Sequence, residues 1–136
     1  MKELVREVSP WPEVTSHEHR FGGLEFRVGA REIGHVHWFG IVDIPFTVAI
    51  RDALIRAGRA ERHHWLPDSG WTTVRVNEVG SANARELLRL SYLRIRTKSA
   101  DSLIAEQARM ELEACGLERE VLEAAGVAAG GVVARG

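Results

Sequence analysis

The sequence is poor in cysteine and in net charge, and both shortages exclude classes of protein. Cys115 is the one cysteine among 136 residues, so a disulfide framework and a cysteine-rich zinc site are excluded. The 18 Lys and Arg residues nearly balance the 19 Asp and Glu residues, which gives a formal net charge of -1. Because binding to nucleic acid through counterion release needs an excess of positive charge, we expect a reduced protein without a nucleic-acid partner.

Long apolar runs are absent as well. No stretch approaches the roughly 20 apolar residues of a membrane-spanning helix, and residues 1–6 lack the apolar core of a secretory signal. We therefore expect a cytoplasmic protein that makes no membrane contact. The hydrophobic share of 45% and the charged share of 27% are typical of one globular domain of this length.

The spacing of the apolar residues predicts an α+β fold class, a single domain with an antiparallel sheet and helices packed on one face. Four parts are expected along the chain. They are an N-terminal helix, an α+β domain, a C-terminal helical extension and a flexible tail rich in Gly and Ala, at residues 1–12, 13–97, 98–126 and 127–136.

Alternating polar and apolar residues predict three consecutive strands near the N-terminus, at residues 14–20, 24–28 and 31–38. Turns at Gly22-Gly23 and Gly29-Ala30 would join them as hairpins. A connector is expected at residues 43–46. Further strands are predicted at residues 61–66 and 71–76, and further helices at residues 47–57, 81–96, 101–114 and 118–125.

Two-residue hairpin turns would set the faces of these strands. They pair His19 with Phe26 and Phe26 with Ile33, and residues that lie opposite each other share a face. The apolar face would then carry His17, His19, Phe21, Leu24, Phe26, Val28, Ile33, His35 and His37. The solvent face would carry pairs of opposite charge, formed by Glu18, Arg20, Glu25, Arg27 and Glu32.

The histidines are the most informative local feature, because all six lie between positions 17 and 64. The two His-x-His pairs place both rings of a pair on one face of a strand. Since burying an imidazole without a partner is costly, this clustering predicts a polar pocket in the core. The aromatic residues near the histidines would line such a pocket around a flat ligand, and they are Trp38, Trp65 and Trp71.

Three interpretations of the histidines stay open. They are structural side chains, ligands of a Zn, Fe or Cu ion, or acid–base groups that act without a metal. The spacing of Gly29 and His35-Val36-His37 is similar to the first cupin motif. The acid that this motif expects is missing, because Ile41 and Val42 stand at its positions.

Several motifs together resemble the luciferase-domain family, which comprises small bacterial proteins of unknown function and the fungal luciferases. The resemblance covers about residues 13–96, and its most specific part is the stretch from Glu32 to His37. The motifs are Glu32-Ile33-Gly34-His35-Val36-His37, Asp43-Ile44-Pro45-Phe46, Arg51-Asp52, His63-His64-Trp65-Leu66-Pro67-Asp68-Ser69-Gly70-Trp71 and Leu87-Leu88-Arg89-Leu90-Ser91-Tyr92.

The resemblance implies an activity. The fungal enzymes oxidise a 3-hydroxy-pyrone luciferin with molecular oxygen and emit light, and no metal or organic cofactor is established for them. By resemblance, the site positions here would be Glu32, His35, His37 and His64. The stretch from His63 to Trp71 follows the bacterial version of the family, and the C-terminal helical region is an addition to it.

The leading hypothesis is a small luciferase-like, oxygenase-type enzyme for a flat enolic or phenolic ligand, with molecular oxygen as co-substrate and no cofactor. His35 or His37 would take the O–H proton, Glu32 would orient a histidine, and His64 would stabilise the oxyanion. Ligand-binding positions would be His17, His19, His63, Trp38, Asp43 and Trp71.

Two alternatives use the same pocket. One is a non-catalytic module that binds a small molecule or a protein. The other is a metalloenzyme whose metal is held by histidines. The C-terminal helices carry Leu103, Ile104, Met110 and Leu112, which could pack against a second copy of the chain.

Overall fold

The computed structural model describes residues 1–19 and 22–127, and this part of the chain folds into an antiparallel sheet and helices. The helices are α1 (Lys2–Val8), α2 (Val48–Arg56), α3 (Val76–Arg96), α4 (Ser102–Ala114) and α5 (Arg119–Ala124). The strands are β1 (Val14–Glu18), β2 (Leu24–Val28), β3 (Arg31–His37), β4 (Ile41–Pro45), β5 (Glu61–Arg62) and β6 (Trp71–Arg75).

The strands form one sheet in the order β1-β2-β3-β4-β6-β5, and every neighbouring pair is antiparallel. Helix α3 crosses β3, β4 and β6, and one apolar core joins the sheet to the helices. Phe26, Val36 and Ile44 supply its sheet side, and Leu54 and Leu88 supply part of its helix side. The predicted α+β class is confirmed.

Strand β4 corrects the predicted connector at residues 43–46. Ile41–Pro45 is a central strand between β3 and β6, and three consecutive residues in it, Val42, Asp43 and Ile44, are buried. A strand covered on both faces loses the polar–apolar alternation by which strands are recognised. Because the acidic Asp43 stands between two apolar residues, the sequence pattern did not predict this strand.

Two other elements differ from their predicted bounds. The strand predicted at residues 61–66 is limited to Glu61–Arg62. Helix α3 begins at Val76, although its backbone leaves the helical region at Gly80 (φ 79°, ψ 166°). The regular helix after that break matches the predicted start at Ser81. Residues 128–136, most of the predicted tail, lie outside the described residues, as do Arg20 and Phe21.

The register of the first hairpin contradicts the predicted faces. Glu18 lies opposite Leu24 and His17 lies opposite Glu25, so the turn is longer than two residues. The register differs by an odd number of residues, which moves a strand's side chains to the opposite face. His17 therefore lies on the face away from Phe26, and Glu18 does not pair with Arg27.

The second hairpin starts in the predicted register and then changes. Arg27 pairs with Glu32, but Phe26 pairs with Gly34, so Ile33 is an extra residue in a β-bulge. Ser91 Oγ on α3 donates a hydrogen bond of 2.7 Å to the Ile33 carbonyl. The bulge keeps Gly34 and Val36 on the core face and turns His35 and His37 to the face opposite the predicted one.

The remaining helices enclose the core from outside. Helix α4 packs on α3 and α5 packs on α2. The Asp101 side chain caps α4 by accepting hydrogen bonds from the amides of Leu103 and Ile104. Leu103 and Met110 are exposed on α4, and their contact with a second copy stays a prediction. Among the described residues, no helix has the length and apolar character required to cross a membrane.

Candidate functional site

The face of the sheet opposite the core carries the candidate site. Strand pairing places one row of residues across it, namely His17, Glu25, His35, Asp43, Thr73 and Glu61. A concave region of about 700 Å³ lies on this face, and we call it the histidine hollow. Its histidines are His19, His35, His37, His63 and His64. Its apolar walls are Phe39, Ile41, Trp65, Leu66 and Trp71.

Asp43 is the centre of the floor of the hollow and is 3% exposed. Its Oδ2 lies 3.1 Å from His37 Nε2, 3.5 Å from His35 Nε2 and 3.6 Å from His63 Nε2. Its Oδ1 accepts a hydrogen bond of 2.7 Å from Thr73 Oγ1. Burial opposes the charge on this carboxyl, but hydrogen bonds from His35 and Thr73 outweigh burial and lower the pKa of Asp43.

Glu32 contacts the His35 ring nitrogen that faces away from Asp43. His35 Nδ1 lies 2.7 Å from Glu32 Oε2, so the two ring nitrogens of His35 face two carboxylates. Burial works against the protonated ring, but the hydrogen bonds to Asp43 and Glu32 prevail and raise the pKa of His35 to about 9. In this arrangement the His35 ring is positively charged at neutral pH.

His19 covers His35 from the hollow side. The two rings stack with centroids 4.1 Å apart, and His19 meets His37 edge-on at 5.7 Å. Burial, followed by the charges of His35 and His37, lowers the pKa of His19. His19 is therefore a neutral imidazole beside a charged one at pH 7. Three rings from two separate segments thus meet at one point.

The loop between β5 and β6 supplies the opposite wall. His63 is buried, and its Nδ1 accepts a hydrogen bond of 3.2 Å from the backbone amide of Trp65. An imidazole nitrogen that accepts a hydrogen bond carries no proton, so the proton of His63 lies on Nε2, towards Asp43. The buried Arg51 on α2 fixes this loop by donating to the carbonyls of Pro67 and Ser69.

The predicted site residues do not all reach the hollow. Glu32 contacts the hollow only through the His35 ring. The predicted residues that line the hollow are His19, His35, His37, His63, His64, Asp43 and Trp71. His64 is exposed and stacks on His63 at a centroid distance of 5.3 Å. His17 is exposed near Thr15 and Trp38 is 52% exposed, and both lie outside the lining.

Some site residues were not predicted from the sequence. Thr73 lies two residues after Trp71 on β6, so the two side chains share a face of the strand. This alternation could have predicted Thr73 as a site residue, and strand pairing places it opposite Asp43. Phe39 follows the second His-x-His pair and stacks on His37 at 5.2 Å. Arg51 belongs to the Arg51-Asp52 motif of the family resemblance, but its contact with the His63 loop was not predicted, because its partners are backbone carbonyls far along the chain.

The floor also contains a set of atoms that could hold a metal ion. His35, His37 and Asp43 each offer one ligand atom, and these three atoms lie within 4.8 Å of one another. The arrangement can therefore share protons, bind an anion or coordinate a cation. The apolar walls above it can hold the flat part of an organic molecule.

Residues 30–91 match the family model described as the luciferase domain, and this segment includes the Asp43 floor, Glu32 and the His63 loop. A search of curated proteins and a search of solved structures each gave no match to the chain. The match confirms that the sequence motifs of residues 30–91 are similar to the luciferase-domain family.

Proposed function

We propose that the chain is a luciferase-like, oxygenase-type enzyme that binds a flat enolic or phenolic molecule in the histidine hollow. One observation carries this proposal: apolar aromatic walls stand over a single polar floor in which imidazoles surround Asp43. The family match to the luciferase domain agrees with it. A 3-hydroxy-pyrone is the ligand type with both a flat ring and an acidic O–H group.

The walls would bind the ring of the ligand. The volume of the hollow, about 700 Å³, lies within the range of small-molecule sites, roughly 300 to 1,000 Å³. Trp65 and Phe39 are 73% and 71% exposed, so a ligand between them would remove apolar surface from water. Each Å² removed stabilises the complex by about 25 cal/mol. These walls favour a flat, largely apolar ligand.

The floor would receive the acidic O–H group. Because the His35 ring already carries its second proton at neutral pH, an imidazole nitrogen of His37 takes the proton, and the enolate carbon then forms a bond to molecular oxygen. The ligand is oxidised, oxygen is reduced to a peroxide, and the imidazolium returns its proton to that peroxide. The sum of the steps is the addition of one O₂ to one ligand.

His63 is better placed than His64 to stabilise the enolate oxygen. It is buried, its Nε2–H points to the floor, and the amide of Trp65 fixes this tautomer. A donor that is fixed in place stabilises developing negative charge without reorganising. His64 lies on the exposed side and would contribute to the wall rather than to the floor.

The test is oxygen consumption with a 3-hydroxy-pyrone. Wild type and His17→Ala, which removes an exposed histidine outside the hollow, should consume oxygen at equal rates. His37→Ala should lose at least 100-fold of the rate while its melting temperature stays close to that of wild type. Unchanged turnover in His37→Ala would contradict the proposal. Binding of the pyrone without oxygen consumption would favour the non-catalytic binding module.

A further inference from the structure

Three ligand atoms on two neighbouring strands have the spacing of a metal coordination sphere. His37 Nε2 and His35 Nε2 lie 3.1 Å and 3.5 Å from Asp43 Oδ2. A metal ion about 2.1 Å from each ligand places neighbouring ligand atoms about 3.0 Å apart at a right angle and about 3.4 Å apart at a tetrahedral angle. The His37–Asp43 distance of 3.1 Å lies within this range, and the His35–Asp43 distance of 3.5 Å exceeds it by 0.1 Å.

The supporting hydrogen bonds direct each ligand atom to the same point. Glu32 accepts from His35 Nδ1, so a metal ion that displaces the second proton of this ring would take it from Nε2, which faces Asp43. Thr73 donates to Asp43 Oδ1 and leaves Oδ2 for the floor. Metal-bound histidines are commonly held in this way by a carboxylate on the other ring nitrogen.

His63 lies near the same oxygen but is not a ligand. Its Nδ1 accepts from the Trp65 amide, and its Nε2 therefore carries a proton instead of a lone pair. The ligand set is then two histidines and one carboxylate, whose remaining coordination positions face the hollow. This set with open positions is typical of non-haem iron sites and binds other first-row metals as well.

A hydrogen-bond network explains the distances around Asp43 Oδ2 less completely than a metal site does. It accounts for His37 at 3.1 Å, but His35 and His63 at 3.5 Å and 3.6 Å exceed the usual N–H···O length. We infer that His35, His37 and Asp43 bind one divalent first-row transition-metal ion, with Glu32 and Thr73 as the residues that orient them. Two neutral imidazoles and one carboxylate offset half of the ion's charge.

This inference shares its site with the proposed oxygenase function but does not require it, because metal binding is measured on the protein alone. In a metal-loaded enzyme, the ion would take the enol oxygen in place of the imidazole base, and a bound ion lowers the pKa of an O–H group. The two proposals therefore differ in what receives the ligand's oxygen.

The experiment uses untagged protein that has been treated with EDTA and returned to a chelator-free buffer. Titration with Co²⁺ should give visible d–d absorption that saturates at one ion per chain, and Zn²⁺ should displace the Co²⁺. His37→Ala and Asp43→Asn should each weaken Co²⁺ binding by at least 100-fold, while the exposed control His17→Ala binds as wild type does. Absent saturable binding, or equal binding by all variants, overturns the inference.

A milder substitution separates orientation from folding. Glu32→Gln should keep the melting temperature near that of wild type, weaken Co²⁺ binding by about 10- to 100-fold and shift the d–d bands. Unchanged affinity and bands in this variant would exclude the orienting role. Saturable binding without oxygen uptake supports the metal site and rejects the proposed reaction. Oxygen uptake by EDTA-treated protein that does not bind Co²⁺ supports the proposed reaction and rejects the metal site.

Discussion

Glu32 and His35 lie three residues apart on β3, yet their side chains meet on the same face of the sheet. The Oε2 and Nδ1 atoms are 2.7 Å apart. In a regular strand, residues three apart point to opposite faces. The extra residue Ile33 reverses the alternation between them, so the β-bulge is what connects Glu32 to the floor of the hollow.

Ser91→Ala should destabilise the protein through this bulge. The Ser91 hydroxyl donates to the carbonyl of the buried Ile33, which would lose this hydrogen bond after the substitution. Such a loss costs about 1 to 3 kcal/mol of the free energy of unfolding, measured by urea denaturation. Ser102→Ala, an exposed serine at the start of α4, is the control and should stay within about 0.5 kcal/mol of wild type.

Gly34→Ala should be destabilising because the core face of β3 has no room for a methyl group. An added Cβ would lie 2.8 Å from Leu88 Cδ2 and 3.0 Å from the Asp43 carbonyl oxygen. Overpacking of this kind costs about 1 to 3 kcal/mol. Gly116→Ala, where nothing lies within 4 Å, should be neutral within about 0.5 kcal/mol. Equal melting temperatures of the two variants would contradict this account.

Arg51→Met should loosen the loop that carries His63. The substitution removes charged hydrogen bonds to the carbonyls of Pro67 and Ser69, each about 1.5 to 3 kcal/mol. We expect a lower melting temperature and faster proteolysis within residues 63–70. The control is Arg56→Met, which breaks only the exposed pair with Glu120 and should cost less than about 1 kcal/mol. Loop proteolysis at the wild-type rate in Arg51→Met would refute the role of Arg51.

Trp65→Ala and Trp38→Ala form a matched pair, because both indoles are largely exposed, at 73% and 52%. Trp65 lines the hollow and Trp38 does not. Trp65→Ala should weaken binding of a 3-hydroxy-pyrone about 10-fold, equivalent to about 1.4 kcal/mol, with little change in stability. Trp38→Ala should bind as wild type does, measured by fluorescence quenching. A loss confined to Trp38→Ala would move the ligand to another surface.

Most of the helices and strands could be predicted from the sequence. Period-two alternation predicted β1 to β3 and β6, and the apolar stripes predicted α2 and α4, because the sequences of these elements keep a regular spacing of polar and apolar residues. β4 was missed because it is covered on both sides, by the helices and by the histidines around Asp43. Its acidic residue then looked like part of a turn.

The faces of the strands could not be predicted in the same way. A longer first turn and the bulge at Ile33 each shift the pairing, and an odd shift exchanges the two faces. The histidines were therefore expected beside Phe26 in the core, whereas His35 and His37 lie on the opposite face. The family resemblance gave Glu32 as a site position and the leading hypothesis gave it a histidine as partner, and the bulge explains how its carboxylate reaches the His35 ring.

In residues 1–19 and 22–127, the helices cover the face of the sheet opposite the histidine hollow, and this separates the packed core from the surface proposed to bind a ligand. Side chains such as Leu88 and Ile44 decide whether the chain stays folded, whereas Trp65, Phe39 and His64 contact solvent. The rim of the open surface can therefore be rebuilt, residue by residue, for other small molecules while the packed layer behind it is left untouched.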